Sequence, residues 1–136
     1  GAAVAMLTRR VLESADRAVE PLRVAHDREI ETLTEAAKEM GERGLPGRKE
    51  IVDQHQREER RFRTDALRAG LGVLARTYRT RVTRLAPRGI APGDLDVRAA
   101  TNAVGLITEV AQALPRNPNE SLLLQSLFTR LAALAV

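Results

Sequence analysis

Residues 67–85 read LRAGLGVLARTYRTRVTRL. The large apolar positions Leu67, Leu71, Leu74, Tyr78, Val82 and Leu85 follow one another at steps of three and four, which places them on one face of a helix. A half-buried strand would alternate at steps of two, and this stretch does not. Traced backwards, the same helix reaches Arg48. Residues 48–63 are very polar, however, with Ile51, Val52 and Phe62 as their only large apolar residues. The spacing predicts one helix over 48–85, its second half in the core and its first half extending outward.

Upstream, Val4, Leu7, Val11, Ala15, Ala18 and Leu22 form another stripe, and its phase continues through His26, Ile30, Leu33, Ala37 and Met40. Pro21 lacks a backbone donor and crowds the carbonyl of Arg17, so a kinked helix or two nearly collinear ones are expected. Gly41 and Gly44-Leu45-Pro46-Gly47 stop the helix and turn the chain. Residues 22–63 should then form an antiparallel hairpin projecting from the core. A turn centred on residues 44–45 sets Met40 against Ile51 or Val52, Leu33 against His55, and His26 against Phe62. Each histidine gains an aliphatic or aromatic neighbour and no second ligand, which assigns both a structural role.

Downstream, Pro87, Gly89, Pro92 and Gly93 mark a loop, and Asp94 and Asp96 suit the N-terminus of the next helix. Val97, Ala100, Val104, Ile107, Ala111 and Leu114 share one face of that helix, which ends at Pro115. Asn117-Pro118-Asn119-Glu120 restarts a helix, with Asn117 as N-cap, Pro118 first and Glu120 third. The last helix carries Leu123, Leu124, Leu127, Phe128, Leu131 and Leu134, with Leu122 and Ala132 beside them. So wide an apolar arc implies burial on more than one side.

The 136 residues form one domain, and aromatic residues make up only 2% of it. Ala and Leu dominate the apolar set, against the β-branched and aromatic bias of sheet proteins. The fold class is all-α: a bundle of four helices, or five if Pro21 breaks the first, with one long antiparallel hairpin. The chain has no Cys, which excludes disulfides and thiolate chemistry. It has no Gly-rich phosphate loop, nucleophile elbow or HExxH spacing. Neither a cofactor, a metal nor a small-molecule ligand is expected, and the chain is not read as an enzyme. Gly70 and Gly72 are read as sites of close helix packing. No apolar run approaches the ~20 residues of a membrane span, and a cytoplasmic location is expected. Gly1 in place of Met reads as a cloning remnant at the start of a fragment.

Charge is uneven. Residues 1–47 carry 7 basic and 9 acidic groups, residues 48–84 carry 11 and 5, and residues 85–136 carry 4 and 4. Twenty of the 22 basic residues are Arg. The helix over 48–85 thus holds the positive excess, and Arg61, Arg68 and Arg79 are candidate contacts to nucleic-acid phosphates. The alternative is a solvated face whose acidic partners lie one turn away or on the first hairpin. That reading is preferred, because the helix has no interleaved aromatics.

The run Arg60-Arg61-Phe62-Arg63-Thr64-Asp65-Ala66-Leu67, continuing through Leu71, Leu74-Ala75 and Tyr78-Arg79, resembles the long helix in the C-terminal domain of actinobacterial DNA polymerase III delta-prime subunits. Thr64 stands where that family has Arg. The ending, Asn117-Pro118-Asn119 followed by Leu122, Leu124 and Leu127, is similar to the cap and leucine helix that close clamp-loader collar domains. Glu20-Pro21-Leu22 and the charged hairpin also look like that family's first helices. The resemblance implies a collar-like fold and a non-catalytic role in subunit assembly, supporting sliding-clamp loading in DNA replication. It implies delta and tau or gamma subunits as partners. The parent complex would be an ATP-driven loader, with its ATP sites in an N-terminal AAA+ module that this fragment lacks. Leu71, Tyr78, Leu122 and Phe128 are the expected interface residues, Leu122 and Phe128 pointing outward beside the inward face of the last helix.

Overall fold

The computed structural model describes residues 1–85 and 95–134. Four helices account for nearly all of them: α1 (Ala2–Glu39), α2 (Arg48–Leu85), α3 (Leu95–Ala113) and α4 (Glu120–Leu134), with a single 3-10 turn, Leu114–Arg116, before α4. No strand occurs among the described residues. The protein is an all-α bundle. The loop expected at Pro87, Gly89, Pro92 and Gly93, and the cap expected at Asp94, lie outside the described residues.

Pro21 sits inside α1, and the helix runs through it to Glu39 as one element. The buried positions of α1 explain why one proline does not divide it. Ala15, His26 and Ala37 are buried at intervals of eleven residues, with half-buried Val4 one interval earlier. Eleven residues are close to three turns, so this line stays on one side of a nearly straight helix. The stripe has the expected phase, but Thr8 and Val19 occupy it where Leu7 and Ala18 were expected. Thr8 tolerates burial because its hydroxyl donates to the Val4 carbonyl at 2.8 Å.

A Schellman motif ends α1. Gly41 adopts φ +85°, its N–H donates to the Lys38 carbonyl, and the Glu42 N–H donates to the Ala37 carbonyl. Gly47, at φ +72°, accepts the first hydrogen bond of α2, from the Ile51 N–H. At the other end of the chain, the Asn117 side chain accepts from the Asn119 N–H, and the Asn119 side chain accepts from the Leu122 N–H. The N-cap of α4 is therefore Asn119, two residues later than expected. Pro118 lies outside the helix rather than opening it.

The core gathers Ala15 of α1, Leu67, Leu71 and Ala75 of α2, Ala103, Ile107 and Val110 of α3, and Leu124, Leu127, Phe128 and Leu131 of α4. Full burial of each large side chain is worth roughly 1.5–3 kcal/mol. α4 packs against both α1 and α3, and that double contact absorbs its wide apolar arc. Phe128 is consequently 5% exposed and Leu71 2% exposed. Both were expected at a subunit interface, and both are core residues of this chain. Only Leu122, at 59%, points outward as expected.

The α1–α2 hairpin beyond Val19 stands apart from this core. Its register differs from the one drawn from the turn centre. His26 meets His55, Glu58 and Glu59 rather than Phe62, which is 46% exposed. Met40, expected against Ile51 or Val52, is the C-cap of α1 and is 85% exposed. The facing line of α2 is His55, Glu59, Arg63 and Leu67, at steps of four, and Phe62 falls about 100° off it.

Candidate interaction surfaces

Polar side chains hold the outer half of the hairpin together. The His26 and His55 rings stack with centroids 3.8 Å apart and planes 4° from parallel. His26 Nδ1 lies 2.8 Å from Glu59 Oε2, and its Nε2 lies 3.1 Å from Glu58 Oε2. An imidazole can donate from both nitrogens only when both are protonated. Burial opposes that charged form, but the hydrogen bonds to Glu59 and Glu58 and the charge of both carboxylates outweigh it. The His26 pKa is raised above the ordinary histidine value. A hydrogen bond from Gln54, and then the one from His26, lower the Glu58 pKa. His55 donates from Nε2 to Glu29 at 3.1 Å, and Arg23 donates to Glu59 at 3.2 Å. The histidines face each other and carboxylates, not the apolar neighbours expected for them. The cluster is a clasp between helices. Among the described residues, no group of three or more His, Asp or Glu is arranged to hold a metal ion.

Where the hairpin joins the bundle, Arg63 reaches two other helices. It bonds Asp16 of α1 at 3.2 Å and Glu120 of α4 at 3.0 Å. The cleft beside it, about 540 Å³, is lined by Arg23, Arg60, Arg63 and Arg116 together with Glu59 and Glu120. Much of its charge is already paired within the protein.

The rest of α2 presents two distinct exposed faces. Successive residues turn by about 100°, so Arg57, Arg61, Arg68 and Arg79 fall within a sector of about 40°, which buried Ala75 shares, while Arg76 lies about 60° outside it. All five are exposed. Among the arginines of α2, Arg63 is the one with a carboxylate at ion-pairing distance among the described residues. Asp65, exposed one turn from both Arg61 and Arg68, is at ion-pairing distance of neither. Arg61, Arg68 and Arg79, singled out from sequence, are all exposed, with buried Ala75 between the last two.

The other face is apolar. Val73 is 61% exposed, and half-buried Leu74 and Tyr78 lie about 100° and 140° round the helix from it. Leu74 and Tyr78 floor a cleft of about 530 Å³ edged by Arg81 and Arg84. Tyr78 also borders a smaller cleft with Ala99, Leu131 and Leu134. Tyr78, expected at a subunit interface, is half-buried and packs against the core while bordering both clefts. Val73 was not singled out, although its position offered a signal: it is a large apolar residue off the stripe Leu67, Leu71, Leu74, Tyr78. Gly70 and Gly72 are exposed, and a Cβ added at either would meet open space. They mediate no close helix packing among the described residues.

None of the described helices is long and apolar enough to cross a membrane. The chain matches no protein-family model, no curated protein and no solved structure.

Proposed function

We propose that this chain is a non-catalytic assembly domain of the clamp-loader collar kind, joining a delta-prime-like subunit to delta and to tau or gamma subunits. The observation that carries this reading is the apolar face of α2. Val73 is exposed, Leu74 and Tyr78 stay partly open although they pack against the core, and Arg81 and Arg84 edge the cleft that Leu74 and Tyr78 floor. An apolar centre with arginines at its rim is the make-up of a protein interface. Gly70 lies one turn before Leu74 on that side. A glycine inside a helix costs about 1 kcal/mol relative to alanine, and no neighbour in this chain uses the space it leaves. Close approach of a partner helix would use it.

Leu122 of α4 supplies a second exposed apolar point on a different helix. A ring member has two neighbours and needs two contact patches. The delta-prime assignment itself rests on the likeness of residues 60–79 and 117–127 to that family, and clamp loading would belong to the complete complex.

The test is co-expression with delta and tau or gamma collar domains. Val73→Asp and Leu122→Asp should keep the helical spectrum and melting behaviour of the parent chain while reducing co-purification at least tenfold. Normal assembly by both folded variants would reject the reading. Phe128→Asp should unfold the bundle, since that ring is in the core.

A further inference from the structure

We propose that copies of this chain dock side by side through their hairpins, the outer face of α2 in one copy against the outer face of α1 in the next. On α2, Arg57, Arg61, Asp65 and Arg68 fall within a sector of about 80°, centred about 120° from buried His55 and Leu67. The stretch is about 17 Å long and ends before Ala75, where that side of the helix enters the core. On α1, Glu13, Arg17, Glu20 and Asp27 fall within a sector of similar width, centred about 120° or more from buried Ala15, Val19 and His26. All eight charged residues are exposed.

Three observations favour a second copy as the occupant. The charges are available: Glu20 lies 3.8 Å from Arg23, and the other seven are at ion-pairing distance of no opposite charge among the described residues. Their order is complementary. Contacts within the hairpin set Arg23 level with Glu59 and His26 level with His55. At that register Glu20 is level with Arg61, Arg17 with Asp65 and Glu13 with Arg68, each within one residue, and Asp27 is two residues from the level of Arg57. A copy shifted sideways in the same orientation therefore sets plus, plus, minus, plus against minus, minus, plus, minus. The register is also selective. A slip of one turn either way brings Arg17 against Arg61 or Arg68, and Asp65 against Glu13 or Glu20, and like charges brought together select against the wrong pairing. Towards the tip, exposed Glu50 is level with exposed Glu31, so the contact stops short of the turn. The inference is independent of the assembly reading, because it uses the hairpin rather than Val73, Leu74 and Tyr78.

The experiment is analytical ultracentrifugation of the 136-residue chain. Exposed ion pairs contribute little each, so association should be weak: at about 0.5 mM protein and about 20 mM salt the weight-average mass should reach at least about 1.5 times that of the monomer. It should return to the monomer value at about 300 mM salt, where screening acts within less than about 10 Å. The contact joins unlike faces and does not close at two copies, so the mass should keep rising with concentration. Arg61→Glu with Arg68→Glu reverses the α2 face, and Glu13→Arg with Glu20→Arg reverses the α1 face. Each double variant alone should be monomeric, and an equal mixture of the two should associate at least as well as the parent. Arg and Glu have similar helix propensities, and circular dichroism should show unchanged helix content. Arg61→Gln with Arg68→Gln should give the same loss without adding repulsion. As a control, Arg98→Glu with Arg130→Glu changes the net charge equally at exposed sites on α3 and α4 and should associate like the parent. A parent that stays monomeric at low salt, a plateau at two copies, a mixture that stays monomeric, or equal loss in the control would each overturn the proposal.

Discussion

His26 and His55 stack ring on ring across the hairpin, 3.8 Å between centroids, with Glu58, Glu59 and Glu29 around their edges. Two helices that share few apolar side chains over this stretch are thereby joined by a clasp of rings and carboxylates. The clasp makes the hairpin sensitive to pH in a direction that can be worked out. The folded pKa of His26 is raised above 6.5, so its contribution is complete below that pH and is lost as pH rises through the folded value. The folded pKa of Glu58 is lowered from 4.5, so its contribution is complete above 4.5 and is lost as pH falls. Thermal stability should therefore be greatest between about pH 4.5 and 6.5 and decline on the alkaline side. In His26→Gln the alkaline decline should be largely absent, as melting curves at pH 5.5 and 8.5 will show.

Arg63 ties three helices, and its removal should loosen the joint between hairpin and bundle. Its side chain is 19% exposed, and that of its partner Glu120 is 21% exposed. Exposed pairs contribute little, but a shielded, two-partner arginine should contribute more: Arg63→Ala is expected to cost about 1–2 kcal/mol in denaturant unfolding. A double-mutant cycle with Glu120→Gln should give a coupling of about 0.5–1 kcal/mol. Coupling near zero would mean that Arg63 acts through its packed aliphatic stem alone.

The helices, their stripes and the outward hairpin were legible in the sequence because each follows from local spacing and from turn residues such as Gly41 and Gly47. Partner identity across helices was not. The register placing His26 on His55 depends on how α2 leans against α1, which the turn's centre does not determine. Phe128 looked available because an arc too wide for one neighbour can be covered either by a partner or by two helices of the same chain, and α1 and α3 cover it here. The candidate surfaces were half legible. That Arg61, Arg68 and Arg79 share one side of α2 follows from helix geometry, whereas the burial of Ala75 among them and the exposure of Val73 depend on the tertiary arrangement.

Pro21 interrupts the hydrogen bonding of α1 without dividing it, leaving the Arg17 carbonyl without its usual donor. Proline is about 3 kcal/mol less favourable than alanine inside a helix. Stiffening of the unfolded chain offsets about 0.4–1 kcal/mol of that. Pro21→Ala should therefore stabilise the protein by about 2 kcal/mol, measured as a higher denaturation midpoint with an unchanged m-value. Destabilisation would instead mean that the local geometry at Pro21 is required by the packing of Val19 and Leu22.

Gly70 and Gly72 separate intrinsic stability from binding. Each lies inside α2, where alanine would be about 1 kcal/mol more favourable, and an added Cβ at either would contact nothing in this chain. Gly70→Ala and Gly72→Ala should each raise the unfolding free energy of the isolated domain by about that amount. The two glycines lie on different exposed faces, so their effects on partners should diverge. Gly70→Ala, beside Leu74 on the apolar face, should weaken subunit assembly. Gly72→Ala, about 160° round the helix from Gly70, should leave assembly unchanged. If both substitutions stabilise the domain and neither affects a partner, the glycines carry no interface role, and the faces around them lose that support. If either destabilises the isolated domain, the space beside it is used within the fold after all.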